Sequence, residues 1–369
     1  MNELHRTEVA IPGGSYDVMI GRGALARLGG ELRSRTEAIR CALVTDTTVE
    51  RLFAARVLTS LREAGFAPEV FTMPAGERSK SWAQAGELLE GFSEAGLGRD
   101  CVVVALGGGV VGDVAGFAAA TYLRGVPVVQ VPTTLLAQAD SSIGGKTGVD
   151  LPRGKNLVGA FWQPLMVLSD TECLAGLPEQ EWSSGLAEVV KSAALFGEHA
   201  FADLEDDIEG LRVRDSAVVE SAVVMAASLK AHVVAGDERE AADRECLNYG
   251  HTLAHALERE LGYGTITHGA AVADGMRFAA HLAESVLGAP PEWTARQEAL
   301  LDGLGLTRSG AACDAAGLLA AMRSDKKSRE GRVRFVLLRA PGAWTVTPLD
   351  DAVLGAALAG WCASTGGNG

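Results

Sequence analysis

Four polar side chains recur at helical spacing in the second half of the chain. Arg244, Asn248, His251 and His255 are four, three and four residues apart. At about 100° per residue, this spacing predicts a single stripe along one helix. The surrounding residues are mostly apolar or small, so the stripe is predicted to be buried. Buried imidazole, guanidinium and amide groups need partners, because an unpaired one costs roughly 1–3 kcal/mol. The stripe therefore predicts a site for a ligand, a metal or both.

The histidines indicate a metal site with more than one possible ligand set. His251 and His255 have the i, i+4 spacing of a shared metal, but Thr252 stands where a zinc protease has its glutamate. Glu188 lies in the segment GLAEVVK, and His268 follows in a THG segment. One carboxylate with two imidazoles is typical of catalytic zinc. Spacing alone does not choose between the histidines. Each of the remaining histidines, at positions 5, 199, 232 and 281, is predicted to be an ordinary core or surface residue.

A glycine-rich turn follows a predicted buried strand at residues 101–106. Its sequence is GGGVVGD from Gly107 to Asp113, and a helical pattern comes next. The G-x-G-x-x-G spacing in this context predicts a turn that cradles a pyrophosphate; the alternative is a tight turn with no ligand. The acidic residue expected about twenty positions later is missing. Asp46, at the end of another predicted strand, is a candidate for the ribose contact, and Glu77 and Lys80 lie in a loop that could reach the nucleotide.

Composition limits the classes of partner. The chain has 369 residues and a formal net charge of −14, which argues against nucleic acid or an anionic membrane surface as the main partner. An anionic substrate would need local cations, and candidates near the motifs are Arg124, Lys146, Lys155, Lys191, Lys230, Arg244, Lys326 and Lys327. The six cysteines are scattered and are expected to be free thiols in a reducing compartment. No apolar signal segment is evident, so a cytoplasmic protein is expected.

The pattern of elements predicts two domains. Up to about residue 170, apolar strands alternate with helices, which predicts a parallel α/β sheet. After residue 178 long helical patterns dominate, and strand-like sequence returns at VRFVLL. We therefore expect an α/β domain at 1–177 and a mainly helical domain at 178–369. A cleft between domains is a usual place for a small-molecule site.

Several ordered motifs give a family resemblance. They are GGGVVGDVAGFAAATYLRG, VPTTLLAQADSSIGGKTGVDLPRGKNLVGAFWQP, GLAEVVK, LNYGHTLAHALE, THGAAVADGM and SDKKSREGRVRFVLL. Over nearly its whole length the chain resembles the 3-dehydroquinate synthase family and, more broadly, the sugar phosphate cyclases. The resemblance implies a Rossmann-like NAD-binding domain followed by a mainly α-helical metal-binding domain, commonly in a homodimer.

The resemblance also implies roles for individual residues. NAD would contact Asp46, Glu77, Lys80, Gly108, Gly109, Val110, Asp113, Thr133, Thr134 and Lys155. Zinc or cobalt would be held by Glu188, His251 and His268, with His255 facing the substrate instead. Substrate contacts would come from Arg124, Asp140, Lys146, Asn156, Lys191, Lys230, Arg244, Asn248, His255 and one of Lys326 or Lys327. Glu240 and His255 match positions with proton-transfer roles in the family. The resemblance also implies catalytic roles for Lys146 and Arg244.

The implied reaction belongs to the shikimate pathway. It converts 3-deoxy-D-arabino-heptulosonate 7-phosphate to 3-dehydroquinate and phosphate through transient oxidation by NAD, phosphate elimination, re-reduction and an intramolecular aldol step. Alternatives are an aminodehydroquinate synthase or another cyclase of secondary metabolism, an NAD- and metal-dependent alcohol dehydrogenase of related fold, and a non-catalytic NAD-binding regulator. Two positions depart from the family pattern: Gly176 stands where Thr is frequent, and Ser192 where an aromatic residue is common.

Overall fold

A computed structural model describes residues 3–240, 243–262, 264–324 and 332–365. The chain divides into two compact units, which interleave in sequence. The first contains Met1–Leu177 and Val219–Arg239, and the second contains Pro178–Val218 and Glu240–Gly369. The stretch after residue 177 therefore does not form one continuous unit, because one long helical segment within it packs with the α/β unit instead.

The first unit is built on a parallel sheet. Its strands are β1 (His5–Ile11), β2 (Gly14–Gly21), β3 (Arg40–Asp46), β4 (Ala67–Met73), β5 (Val102–Gly107), β6 (Val128–Pro132), β7 (Lys146–Leu151), β8 (Gly154–Phe161) and β9 (Met166–Asp170). Its helices are α1 (Leu28–Arg33), α2 (Thr47–Val49), α3 (Ala55–Glu63), α4 (Trp82–Glu94) and α5 (Gly109–Thr121). The predicted alternation of strands and helices is confirmed.

The sheet order explains where its loops gather. In the described part of the chain, seven strands pair in the order β1-β2-β9-β6-β5-β3-β4, and β7 pairs with β8 separately. Only the β1–β2 contact within that sheet is antiparallel. The chain runs from β3 outward to β4 and then returns to β5 on the other side of β3, so the order reverses between β3 and β5. Ligands of open α/β sheets bind outside the carboxyl ends of strands at such a reversal.

Both faces of this sheet are covered. Along β3, Cys41 and Leu43 pack on one face with residues of α1 and α3, whereas Ala42 and Val44 pack on the other with residues of α4 and α5. Successive side chains of a strand point to opposite faces, so a strand buried on both sides reads as an uninterrupted apolar run. This is why the apolar runs predicted strands correctly in this unit.

The second unit is mainly helical, as predicted. The helices after residue 177 are α6 (Glu179–Phe196), α7 (Glu198–Asp206), α8 (Ile208–Arg212), α9 (Ser216–Gly236), α10 (His251–Glu260), α11 (His268–Leu287), α12 (Pro291–Gly303), α13 (Ala315–Arg323) and α14 (Asp351–Thr365). Strands β10 (Val333–Leu338) and β11 (Trp344–Leu349) form an antiparallel pair. Most of α9 belongs to the first unit.

Helix α9 is also the one described helix that is long and apolar enough to cross a membrane. Half of the most apolar stretch of this helix is buried inside the protein. A core helix passes the same test of length and composition, and α9 carries Lys230, which forms an ion pair with Asp140 of the same unit. The cytoplasmic location stays a prediction.

The polar stripe of Arg244, Asn248, His251 and His255 does not lie on one helix. Asp243–Asn248 form a 3₁₀ helix, Gly250 has a left-handed backbone with φ of 78°, and α10 begins only at His251. The prediction of one continuous helix was wrong because packing against α11 overrides the local periodicity. A Cβ on Gly250 would lie 2.9 Å from the carbonyl oxygen of Val272, and a Cβ on Gly275 would lie 1.8 Å from the carbonyl oxygen of Gly250.

The cysteines are unbridged, in line with the expectation of free thiols. Cys313 and Cys362 are nevertheless neighbours, with their Sγ atoms 2.6 Å apart across 49 residues of sequence. Spacing along the chain did not indicate this proximity.

The approach of α10 to α11 generates a stability prediction. We expect Gly275→Ala to lower the free energy of unfolding by roughly 3 kcal/mol or more, because the added methyl must displace backbone rather than a flexible side chain. Urea unfolding measures the effect. Gly355→Ala in α14 is the matched control: its Cβ would meet no heavy atom within 4 Å, and alanine in a helix is favoured by roughly 0.5–1 kcal/mol. Equal unfolding midpoints for the two variants would contradict the prediction.

Candidate metal and nucleotide site

The predicted metal ligands come from three helices of the second unit. Glu188 lies within α6, His251 is the first residue of α10 and His268 is the first residue of α11. The Thr267 side chain caps α11 by accepting a hydrogen bond from the Ala270 amide at 3.2 Å. Both histidines therefore stand at helix starts whose backbone conformation is fixed locally.

These side chains lie close enough to share one ion. Their ligand atoms all fall within 4.8 Å of one another. Glu188 Oε1 is 3.4 Å from His251 Nε2 and 3.4 Å from His268 Nε2. A carboxylate and two imidazole nitrogens directed at a common point are a donor set that zinc or cobalt accepts, so the residues present fit a divalent transition metal.

The second ring nitrogen of each histidine has an oxygen beside it. His251 Nδ1 lies 3.1 Å from the carbonyl oxygen of Tyr249. Because a carbonyl only accepts, Nδ1 carries the proton and Nε2 has a free lone pair. Burial lowers the pKa of His251 well below its ordinary value, which keeps the ring neutral as a ligand must be.

His268 is surrounded by carboxylates. Burial works against its charge, but Glu188 and Glu258 outweigh that effect and raise the pKa of His268 to about 9. Glu188 also forms an ion pair with Lys191, and both of these side chains are buried. The buried Glu188 charge is thus balanced by two cationic groups, Lys191 and His268, as burial of a carboxylate requires.

The remaining residues of the stripe lie around this set. The rings of His251 and His255 meet edge to face, with centroids 5.6 Å apart. Arg244 is fully buried. Asn248 Nδ2 donates a hydrogen bond to Glu240 Oε1 at 3.3 Å.

The predicted nucleotide residues of the first unit flank the strand reversal. Asp46 ends β3 and Gly107 ends β5, and the pairing of Thr45 with Leu106 brings these ends to the same edge. Asp46 Oδ1 accepts hydrogen bonds from the amides of Thr48 and Val49, so the carboxylate also caps the next helix. Its place at the reversal is where a dinucleotide-binding sheet holds its ligand.

The glycine turn fits a phosphate cradle. Helix α5 begins at Gly109, so its free N–H groups face the turn. A Cβ on Gly108 would lie 3.0 Å from Thr134 Cγ2, and one on Gly112 would lie 2.7 Å from Gln130 Oε1. Glycine at position 108 therefore leaves the turn without a side chain at this point. Glycine at position 112 lets α5 pack closely on β6.

The charged residues predicted for the nucleotide form pairs. Lys80 Nζ lies 2.6 Å from Asp113 Oδ2, and Lys155 Nζ lies 3.5 Å from Glu77 Oε1. Burial opposes the Lys80 charge, but Asp113 outweighs it and holds the pKa of Lys80 above its ordinary value. Thr133 is buried and donates its backbone N–H to the carbonyl of Gly107 at 2.9 Å.

The predicted substrate residues of the first unit differ in setting. Lys230 Nζ lies 2.6 Å from Asp140 Oδ1. Arg124, Lys146 and Asn156 are exposed. Lys326 and Lys327 lie outside the described residues.

Three predicted site residues share a rare backbone conformation. Arg124, Asn156 and Glu240 have φ of 69°, 55° and 58°. Such values are uncommon for residues other than glycine and concentrate at functional sites.

Comparisons with known proteins identify the family of the chain. Residues 70–184 match the 3-dehydroquinate synthase N-terminal family, and residues 185–328 match the 3-dehydroquinate synthase C-terminal family. The chain belongs to the 3-dehydroquinate synthase family.

Individual relatives cover most of the chain. The 3-dehydroquinate synthase of Geobacter metallireducens is 46% identical over 91% of this chain and 94% of its own length. The Nitrosomonas europaea enzyme is 40% identical over 97% of this chain and 100% of its own. Among solved structures, a 2-deoxy-scyllo-inosose synthase complexed with carbaglucose-6-phosphate, NAD+ and Co2+ has a TM-score of 0.87 at 26% identity, covering 96% and 99% of the two chains. A 2-epi-5-epi-valiolone synthase from Streptomyces hygroscopicus with NAD+ and Zn2+ bound has a TM-score of 0.85 at 26% identity, with the same coverage.

The two departures from the pattern of the 3-dehydroquinate synthase family are accommodated differently. At Gly176 an added Cβ would meet no heavy atom within 4 Å, so a threonine would have room. Ser192 is buried beside Lys191, where an aromatic side chain would need a larger space.

Sequence reasoning did not single out Glu258. This buried residue lies on α10, and its Oε1 is 3.6 Å from His268 Nδ1. Glu258 is seven residues after His251, which places both on the same face of α10. A carboxylate on the buried face of a helix that carries a predicted metal ligand was the sequence signal that could have identified it.

The ligand geometry generates a prediction about metal binding. We expect His268→Ala to weaken Co2+ binding by more than about 100-fold, since it removes a ligand rather than an outer partner, whereas His255→Ala keeps Co2+ affinity near that of the unmodified protein. Visible absorption of Co2+ titrated into metal-stripped protein measures both. Equal loss of binding in the two variants would refute this division of roles.

Proposed function

We propose that the chain converts 3-deoxy-D-arabino-heptulosonate 7-phosphate to 3-dehydroquinate and phosphate. The observation that carries the proposal is the joint arrangement of Glu188, His251 and His268 around one point. Similarity at 40–47% identity over at least nine-tenths of the chain to several 3-dehydroquinate synthases supports the choice of reaction.

Two bound groups are needed. A zinc or cobalt ion would be held by Glu188, His251 and His268, and NAD by the turn Gly108–Asp113 together with Asp46, Lys80 and the two threonines after β6. When bound, NAD supplies a reversible hydride acceptor, and the metal supplies a Lewis acid for a substrate oxygen.

Cations of the first unit are proposed to bind the phosphate group. Arg124 and Lys146 are exposed cations, and Asn156 is an exposed, uncharged hydrogen-bonding group. Because the chain as a whole is strongly acidic, an anionic ligand is attracted only to local cations such as these. The ion pair with Asp140 holds the Lys230 ammonium in place. A fixed cation loses little conformational entropy when it binds a ligand, which favours tight positioning of the leaving phosphate.

Cations of the second unit are proposed to bind the carboxylate and hydroxyl groups. The guanidinium of Arg244 is planar and presents paired donors suited to a carboxylate. Its complete burial excludes competing water and strengthens each hydrogen bond that it donates. Lys191 is held by Glu188, so its ammonium stays beside the metal ligands.

Glu240 and His255 are proposed to transfer protons. The hydrogen bond that Asn248 donates to Glu240 orients this carboxylate without protonating it, which suits a general base. His255 lies beside His251 and outside the ligand set, which places an imidazole next to the metal ligands without using it to hold the metal.

Turnover tests the proposal directly. With catalytic NAD and Zn2+, we expect one phosphate released per molecule of 3-dehydroquinate, and no accumulation of NADH because the cofactor is regenerated each turn. Phosphate assay, absorbance of NADH and product mass are followed together. Stoichiometric NADH without phosphate release would favour the alcohol dehydrogenase alternative, and faster turnover of the 4-amino analogue would assign the chain to the aminodehydroquinate synthases.

The proton-transfer role has its own test. We expect Glu240→Gln to slow phosphate release by about 10²–10⁴-fold, because loss of a general base has that effect, while Co2+ affinity is unchanged. Glu260→Gln is the matched control: Glu260 is exposed at the end of α10, and its substitution removes the same charge. Phosphate release by Glu240→Gln at the rate of the control would rule out this role.

A further inference from the structure

Glu258 joins the two helices that carry the histidine ligands. It lies on α10, the helix that begins with His251, and it is buried. Its Oε1 lies 3.6 Å from Nδ1 of His268, the first residue of α11. One helix therefore carries both a ligand and a carboxylate directed at the other ligand.

Each nitrogen of His268 faces a carboxylate, one inside the metal-ligand set and one outside it. Nε2 faces Glu188 at 3.4 Å, and Nδ1 faces Glu258. A neutral imidazole binds a metal through the nitrogen that lacks a proton, so the other nitrogen must carry it. With a metal ion between Nε2 and Glu188, the carboxylate beside Nδ1 is the acceptor that remains for the ring proton, so the proton stays on Nδ1 and Nε2 binds the ion. In metal sites such an outer acceptor also fixes the plane of the ring.

His251 meets the same requirement in a different way. Its Nδ1 faces the backbone carbonyl of Tyr249, an acceptor that no substitution removes. The acceptor for His268 is the side chain of Glu258, so the orientation of the His268 ring depends on which residue stands at position 258. The close backbone contact between Gly250 and Gly275 sets how far α10 stands from α11, and hence how far Glu258 stands from His268.

We propose that Glu258 is a positioning residue that holds the ring of His268 and keeps its proton on Nδ1. The inference rests on the metal-binding role of His268 given under the proposed function. Glu258 acts through His268 and does not itself contact the ion or the substrate.

Metal titration of substituted proteins tests the proposal. Metal-stripped protein is titrated with Co2+ and followed by visible absorption. We expect Glu258→Gln, which keeps an uncharged acceptor, to weaken binding about tenfold, and Glu258→Leu, which keeps none, to weaken it about 100-fold, the range found for outer partners of metal ligands. Glu260→Gln, with the same charge change on an exposed part of the same helix, should stay within about twofold of the unmodified protein.

The outcomes distinguish failure of the proposed metal site from failure of the proposed role of Glu258. If the unmodified protein fails to bind Co2+, the proposed metal site is wrong, and the role of Glu258 falls with it. If the unmodified protein binds Co2+ and both Glu258 variants bind as tightly as Glu260→Gln, the metal site stands and the positioning role is overturned. Far-ultraviolet circular dichroism of the metal-stripped variants confirms that binding is compared between folded proteins.

A second measurement needs no substitution. In Zn2+-loaded protein with ¹⁵N-labelled histidine, we expect the His268 signals to show a protonated Nδ1 and a metal-bound Nε2. A metal-bound Nδ1 would overturn the proposal even if the Glu258 variants fail to fold.

Discussion

The buried carboxylate of Glu188 is the constraint around which the second unit is organised. An isolated charge in this environment would be strongly unfavourable, so its oxygens must face cationic or metal partners. Lys191 from the same helix and the imidazole of His268 at the start of α11 are cationic partners, and the neutral ring of His251 at the start of α10 faces the same carboxylate, where a shared metal ion would lie. Three helices are thereby tied to one point, and the backbone contact of Gly250 with Gly275 sets the distance between two of them.

Paired charges recur at the other predicted contacts. Lys80 stands against Asp113, Lys191 against Glu188, and Lys230 against Asp140, and all three lysines are buried. Such pairing reconciles a strongly acidic chain with an anionic substrate, because the ammonium groups are held at fixed points instead of being spread over the surface. Each carboxylate also limits the rotamers of its lysine, so part of the entropy cost of binding is met during folding.

The sequence predicted the parts of the structure that depend on local pattern. The strands β3, β5 and β6 were evident because both of their faces are buried, and the glycine turn was evident because its spacing is specific. The hairpin of β1 with β2 was not predicted, since β1 (HRTEVAI) is mostly exposed and polar. The stripe containing Arg244 and His251 identified residues that gather in one unit, although the helix assumed for it is interrupted at Gly250.

What could not be predicted depends on distant parts of the chain. Lys230 and Asp140 are 90 residues apart in sequence, and nothing in either segment specifies the other. The same holds for α9, which follows three helices of the second unit yet packs with the first. Glu258 was overlooked because a lone glutamate in a helix is usually solvated, and only its burial beside His268 distinguishes it.

The interleaving of the two units has a consequence for how the protein is made. A ribosome releases the chain from its amino terminus, and the sheet-forming segments up to Leu177 emerge well before Val219–Arg239. The first unit therefore lacks its last helix, and the lysine on it, until more than half of the polypeptide has been synthesised. Pro178–Val218 must in turn await the segments from Glu240 onward. Neither unit corresponds to a continuous fragment, so a cut at a single peptide bond cannot yield both as complete folding bodies.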